Sequence, residues 1–162
     1  MNLVNNKYIF KSLLFILLKY IILIFKKSKN YIIKNKLKVC LCSIGKKENL
    51  YIKEFIDHYK NIGYNKIYLF DNNDINDERY EKVIQNEINQ GFVSIINYRG
   101  YKSSQHRSYR ECYEKNNLKY DWLSFFDIDE FLEFRKPNLK IQEFLVAHRF
   151  KKCQNINTYN FY

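Results

Sequence analysis

Three carboxylates, Asp127, Asp129 and Glu130, fall within four positions directly after the apolar run Trp122-Leu123-Ser124-Phe125-Phe126. Such a run reads as a buried strand. Carboxylates at the end of a buried strand need a partner, because desolvating unpaired charge is strongly unfavourable. A divalent cation is the simplest partner for two aspartates spaced i, i+2, and their oxygen-only donors suit the hard ions Mg²⁺ and Mn²⁺. A cation held this way can in turn hold a diphosphate. The plain alternative is a solvated turn after a strand.

The elements that must carry this cluster follow from periodicity. Val39 to Ile44 reads as a strand ended by Gly45. Glu48 to Ile62 reads as a helix, with Ile52, Phe55, Ile56 and Tyr59 at i, i+3, i+4 and i+7, and Gly63 as its C-terminal cap. Lys66 to Phe70 is a second strand, stopped by the turn cluster Asp71-Asn72-Asn73-Asp74. A helix is expected from Asp77 to Gln90, with Tyr80, Val83, Ile84, Glu87 and Ile88 inward and Gly91 at its end. Phe92 to Asn97 is a third strand. Ser103 to Asn116 is a helix capped by Ser103 or Ser104, with Tyr109 and Tyr113 expected in the core. Trp122 to Phe126 is the fourth strand, Phe131 to Phe134 a short extended piece, and Ile141 to Leu145 a last helical turn or two.

Strands alternating with helices imply an α/β fold, a Rossmann-like and mostly parallel sheet covered on both faces. Ligands of such sheets bind beyond the carboxyl ends of the strands. Three of those ends carry polar residues here, at 43–48, 71–74 and 127–130, and they are expected to converge on one edge.

The chain has 162 residues, 46% of them hydrophobic and 28% charged, which suits one globular domain and argues against disorder. Its net charge of +11 suits nucleic acid, an anionic membrane surface or a phosphorylated ligand. Much of the excess lies beside apolar sequence in the first 53 residues, which favours the membrane. No zinc-finger spacing or RNA-recognition pattern is present, so nucleic acid is not an expected partner. Tyr8 to Phe25 is almost wholly apolar, and Lys7, Lys11, Lys19 and Lys26 share one narrow side of a helix. An interfacial helix fits. A spanning helix would carry Lys19 near its middle, at roughly 2.5–3.5 kcal/mol on insertion scales. The alternative is an ordinary buried helix. The segment 1–36 is thus expected to associate with a membrane, peripherally or by one anchor. The basic stretch Lys26 to Lys38 favours its cytoplasmic face. Cys40 and Cys42 face one side of a strand and read as small buried hydrophobes, ahead of metal or disulfide chemistry. His58, His106 and His148 have no ligand spacing.

One sequence of landmarks goes further. Lys46-Lys47-Glu48-Asn49 is followed by Tyr51-Ile52-Lys53-Glu54-Phe55, by Gly63, by Asp71-Asn72-Asn73, and finally by Tyr120-Asp121-Trp122 and Phe126-Asp127-Ile128-Asp129-Glu130-Phe131. Between Lys38 and Phe134 this resembles glycosyltransferases of the GT-A fold, of family 92 and the related family 2-like bacterial enzymes. The resemblance implies a nucleotide-sugar donor, a glycan or lipid-linked acceptor, and a role in polysaccharide or glycoconjugate assembly. It implies that Asp71 contacts the nucleoside and that Asp127 and Asp129 work with Mn²⁺ or Mg²⁺ on the diphosphate. Asp129 would coordinate directly, and Asp127 would meet the ribose or a metal-bound water. Glu48 is a donor-side candidate or simply a first-turn helix acid. Arg99, Gln105, Arg107 and Arg110 are phosphate-side candidates, or a solvated helix face.

Asp-x-Asp after an apolar strand also occurs in haloacid dehalogenase-type phosphatases, but on the first strand of the domain, not the fourth. The resemblance also implies a general base beyond the metal motif, and Glu143 is the one carboxylate after Phe134. The donor-binding domain, 37–162, is therefore expected to be incomplete and its base missing. The alternative from another class is a non-catalytic, membrane-associated module that binds an anionic partner.

Overall fold

A computed structural model describes residues 37–102 and 104–148, together with Lys19, Ile21 and Leu23. The chain divides into two units, 1–36 and 37–162, and the second holds the α/β fold. Of the first, Lys19, Ile21 and Leu23 are helical and exposed. The rest of the apolar segment lies outside the described residues. Among the described residues no helix is long and apolar enough to cross a membrane.

Strands and helices alternate: β1 (Val39–Gly45), α1 (Ile52–Asn61), β2 (Lys66–Asp71), α2 (Glu81–Asn89), β3 (Val93–Asn97), α3 (Gln105–Asn116), β4 (Trp122–Phe125) and α4 (Ile141–His148). The four strands form one parallel sheet in the order β3-β2-β1-β4. Right-handed crossovers dictate what covers each face. The chain steps from β1 to β2 to β3 in one direction, so α1 and α2 share a face. It then reverses past β1 to β4, which puts α3 on the other face. Val39 and Leu41 accordingly pack with Ile52, Phe55, Ile56 and Tyr59 of α1 and with Tyr80 and Ile84, while Cys40 and Cys42 pack with Phe70, Tyr98 and Cys112.

The two helices on the first face end alike. Gly63, at φ +99°, donates its N–H to Lys60 O, and the Tyr64 N–H reaches Tyr59 O. Gly91, at φ +73°, repeats the pattern with Ile88 O, and the Phe92 N–H with Glu87 O. Both are Schellman closures, in which glycine takes the left-handed position without a steric penalty. At the first, the Tyr59 and Tyr64 rings meet edge to face with centroids 5.0 Å apart.

Several expectations shift. α1 and α2 start later than their periodicity suggests. Residues 48–51 form a turn in which Tyr51 and Ile52 donate to Glu48 O, and Glu78 N–H is held by the Asp77 carboxylate before α2 begins. Val83 is exposed, because α2 is kinked at Ile84. Residues 131–134 form no strand, although Leu132 and Phe134 pack on the core. Tyr113 is an exposed residue and not a core one.

Cys42 is not a simple buried hydrophobe. It is disulfide-bonded to Cys112 of α3, 70 positions along the chain, whereas Cys40 is free and buried. Burial pushes the Cys40 thiol up to about 12, so it stays protonated and inert.

Candidate functional site

The strand register builds the cleft. Gly45, Asp71 and Asn97 pair across β1, β2 and β3, so these strands end level. β4 stops earlier, with Phe125 opposite Cys42. The chain then crosses the end of β1, and Ile128, which is buried, fills the notch. A Cβ added to Gly45 would lie 2.0 Å from Ile128 Cδ1 and 2.8 Å from the Tyr80 hydroxyl, so the Ile128 side chain packs into the space that glycine leaves at the end of β1. This is the point where the strand order reverses, the place where open α/β sheets bind ligands.

A cleft of about 370 Å³ lies there, lined by Ile44, Gly45, Lys46 and Glu48 after β1, by Asn72 after β2, by Ser104 and Gln105 at the start of α3, and by Asp127, Ile128 and Asp129. Of the candidate residues, Glu48, Gln105, Asp127 and Asp129 are thus brought together, whereas Arg99, Arg107 and Arg110 do not line the cleft. Asp71 is not on this wall.

The acidic turn is held from several sides. The Asp127 N–H donates to Glu130 Oε2 at 3.0 Å, and the Glu130 N–H donates to Asp127 O at 3.0 Å. Asp127 Oδ1 accepts from Gln105 Nε2 and from the Tyr109 hydroxyl, each at 2.8 Å. The Tyr59 hydroxyl donates to Glu130 O and accepts from the Leu132 N–H, which fixes the chain as it leaves. Asp129 is exposed and has no cationic partner among the described residues. The Glu48 carboxyl is pushed above its ordinary range, first by burial and then by the negative charges of Asp129 and Glu78. Uncompensated negative charge therefore collects on one side of the cleft.

Asp71 is held by partners within the protein. It is buried, and its Oδ2 pairs with Arg99 Nη2 at 2.6 Å. Its Oδ1 accepts from the N–H and side-chain amide of Asn73, at 3.0 and 2.8 Å. Arg99 also donates to the carbonyls of Asp74 and Glu78, at 2.9 and 2.6 Å. Asn73 Oδ1 in turn accepts from the N–H of Lys47, which sits at φ +63°. Asp71 and Arg99 together lock the loop after β3 to the loop after β2, and Asn73 carries the tie on to the loop after β1. Of the other arginines, Arg107 lies over the rings of Tyr98 and Tyr101.

Lys46, Asn72, Ser104 and Tyr109 are the site residues that sequence reasoning missed. The amide nitrogen of Asn72 donates to the carbonyls of Tyr98 and Tyr101 at 2.9 Å and to Ser104 Oγ at 3.0 Å, so Asn72 joins β2 to the entry of α3. Ser104 thus bonds Asn72 and makes no side-chain cap to its own helix. Lys46 pairs with Asp74 at 2.8 Å. The Tyr109 signal was present in the sequence: it follows Gln105 by one helical turn.

Among the described residues no group of three or more His, Cys, Asp or Glu side chains forms a ready-made metal cage. Two carboxylates on an open cleft still fit Mg²⁺ or Mn²⁺ that shares its coordination with phosphate and water. The like-charge pressure between Glu48 and Asp129 is what a cation there would relieve.

The family model of glycosyltransferase family 92 matches residues 35–162. A glycosyltransferase family 92 protein of Oryza sativa subsp. japonica is 27% identical over 97 residues, covering 59% of this chain and 16% of that protein. A second, from Ricinus communis, is 24% identical over 93 residues, 57% of this chain and 16% of its own length. The chain thus aligns with a small part of each relative. No solved structure matches it. The matched span takes in the whole sheet and the acidic turn, and the chain belongs to glycosyltransferase family 92.

Proposed function

We propose that the cleft binds the diphosphate of a nucleotide-sugar donor, with Mn²⁺ or Mg²⁺ held by Asp129 and Asp127, and that the chain carries the donor-binding part of a sugar transferase acting on a glycan or lipid-linked acceptor. One observation carries the reading: two carboxylates flank a buried isoleucine at the point where the strand order reverses, and among the described residues no cation pairs with Asp129. When bound, the cation offsets charge that builds on the leaving nucleoside diphosphate. Asp127, fixed through Oδ1, presents its other oxygen. Asp129, free to turn, completes the pair. Asn72 and Ser104 keep the opposite wall in register, and Gly45 keeps it close enough for both walls to meet one ligand. In this reading Asp71 acts on the nucleoside side indirectly, by holding the loop beside the cleft.

The test is thermal unfolding of the full chain with Mn²⁺ and a panel of nucleoside diphosphates. A ligand at about 100 times its dissociation constant adds about 2.7 kcal/mol to the folded state. The expected result is a rise with one nucleotide that needs metal and disappears in Asp129→Ala. A cooperative transition that no combination shifts would refute the reading and favour a non-catalytic module that binds anions.

We further propose that the segment 1–36 holds the protein at an anionic membrane surface, on the strength of its apolar run and lysines. Binding that is equal on neutral and anionic vesicles would count against it. The Cys42–Cys112 disulfide weighs against a cytoplasmic location, since disulfides persist in oxidising compartments. Free thiols at both positions in the protein isolated from cells would restore the cytoplasmic reading.

A further inference from the structure

Tyr109 does not line the cleft, yet the fold holds it against a residue that does. Gln105, Tyr109 and Cys112 lie at i, i+4 and i+7, on one face of α3. Cys112 ties that face covalently to β1. Between the disulfide and the cleft, the Tyr109 ring packs on Phe125, the last residue of β4, with centroids 5.1 Å apart. Its hydroxyl is thereby delivered to Asp127 Oδ1, the oxygen that Gln105 also reaches. The two donors differ. Gln105 is exposed, whereas Tyr109 is half-buried and held by its ring.

We infer that Tyr109 is a positioning residue: its hydroxyl engages one oxygen of Asp127 and so fixes the other toward the cation and diphosphate. The inference rests on the metal-binding reading above. Without this donor the Asp127 side chain has, among the described residues, the exposed Gln105 amide to orient it. Donors that orient metal ligands typically hold a 10–100-fold share of metal affinity.

The experiment compares the full chain with Tyr109→Phe and Tyr98→Phe, measuring Mn²⁺ affinity by titration of its paramagnetic resonance signal, alongside thermal unfolding without metal. Tyr98→Phe is the control for loosening of α3, because the Tyr98 hydroxyl donates to the Glu111 carboxylate on the same helix, away from the cleft. The expected result is cooperative unfolding in both variants, with Mn²⁺ affinity lowered about tenfold or more in Tyr109→Phe alone. Unchanged affinity in Tyr109→Phe, or an equal loss in both variants, overturns the positioning role and leaves the metal site standing. Failure of the unaltered chain to bind Mn²⁺ overturns the metal reading, and this inference with it.

Discussion

The Asp71–Arg99 pair gives the sharpest test of how the cleft is built. Both side chains are almost fully buried, at 2% and 7% exposure, and they meet at 2.6 Å. Arg99→Met keeps much of the apolar stem but removes the countercharge of a buried carboxylate and the donors to the loop carbonyls. Removing one partner of a buried pair costs about 3–5 kcal/mol, mostly because the remaining charge is stranded. Asp71 would keep the two Asn73 donors, which places the loss near the lower end, about 3 kcal/mol. Domains of this size have a total stability of about 5–15 kcal/mol. At roughly 4 °C per kcal/mol, the melting midpoint should fall by about 12 °C. Thermal unfolding of the full chain, followed by circular dichroism, measures the fall, and urea unfolding measures the free-energy loss. Asp71→Asn combined with Arg99→Met removes both charges and should lose less than the sum of the single changes. A loss below about 1 kcal/mol in Arg99→Met, or strict additivity in the double variant, would refute the claim that this pair locks the two loops.

Gly45→Ala places a methyl group against the Ile128 side chain and the Tyr80 hydroxyl, so the side chain that seats the acidic turn must shift. A loss of about 1–3 kcal/mol is expected, together with weaker Mn²⁺ binding. Gly91→Ala, where the added Cβ meets open space but φ is +73°, should cost about 1 kcal/mol and leave binding alone. Equal Mn²⁺ affinity in the two variants would count against the close-approach account. For Glu111, the bonds from Lys115 and then Tyr98 hold the carboxyl below its ordinary range. Its folded value is depressed, so its contribution is present above the unfolded value of 4.5 and is lost as pH falls through the folded value. Glu111→Gln should therefore be less stable than the unaltered chain by about 1 kcal/mol at neutral pH. Urea titrations should show that gap closing as pH falls below 4.5, and a gap of constant size would contradict it.

The alternation of strands and helices was legible because each core-facing stripe repeats within its own element. Ile52, Phe55, Ile56 and Tyr59 announce α1 without help from the rest of the chain, and all four are buried. The late starts of α1 and α2 were hidden because the turns before them are set by partners such as the Asp77 carboxylate and the Asn49–Glu78 bond, which no period records. The acidic turn was legible as a charge anomaly after a strand. The role of Asp71 was not, since an aspartate after a strand looks the same whether it faces a ligand or a buried arginine from the next loop but one. Tyr109 and Tyr113 differ by a single turn of one helix. The first stays within reach of β4, while the second lies farther round and is half exposed. The disulfide escaped because its two cysteines are neighbours only through the crossover that brings α3 onto β1.

That crosslink also sorts the fold into two classes of tether. The covalent ring from Cys42 to Cys112 encloses α1, β2, α2, β3 and most of α3. β4 lies outside it, a four-residue strand half-buried along its whole length that, among the described residues, pairs with β1 alone. Local opening should therefore begin at β4, with the ring intact. The two aspartates travel with β4, while Glu48, Asn72 and Gln105 stay with the ring. One jaw of the cleft can thus breathe against a stapled other, and amide exchange at Trp122–Phe125 should outpace that at Val39–Gly45.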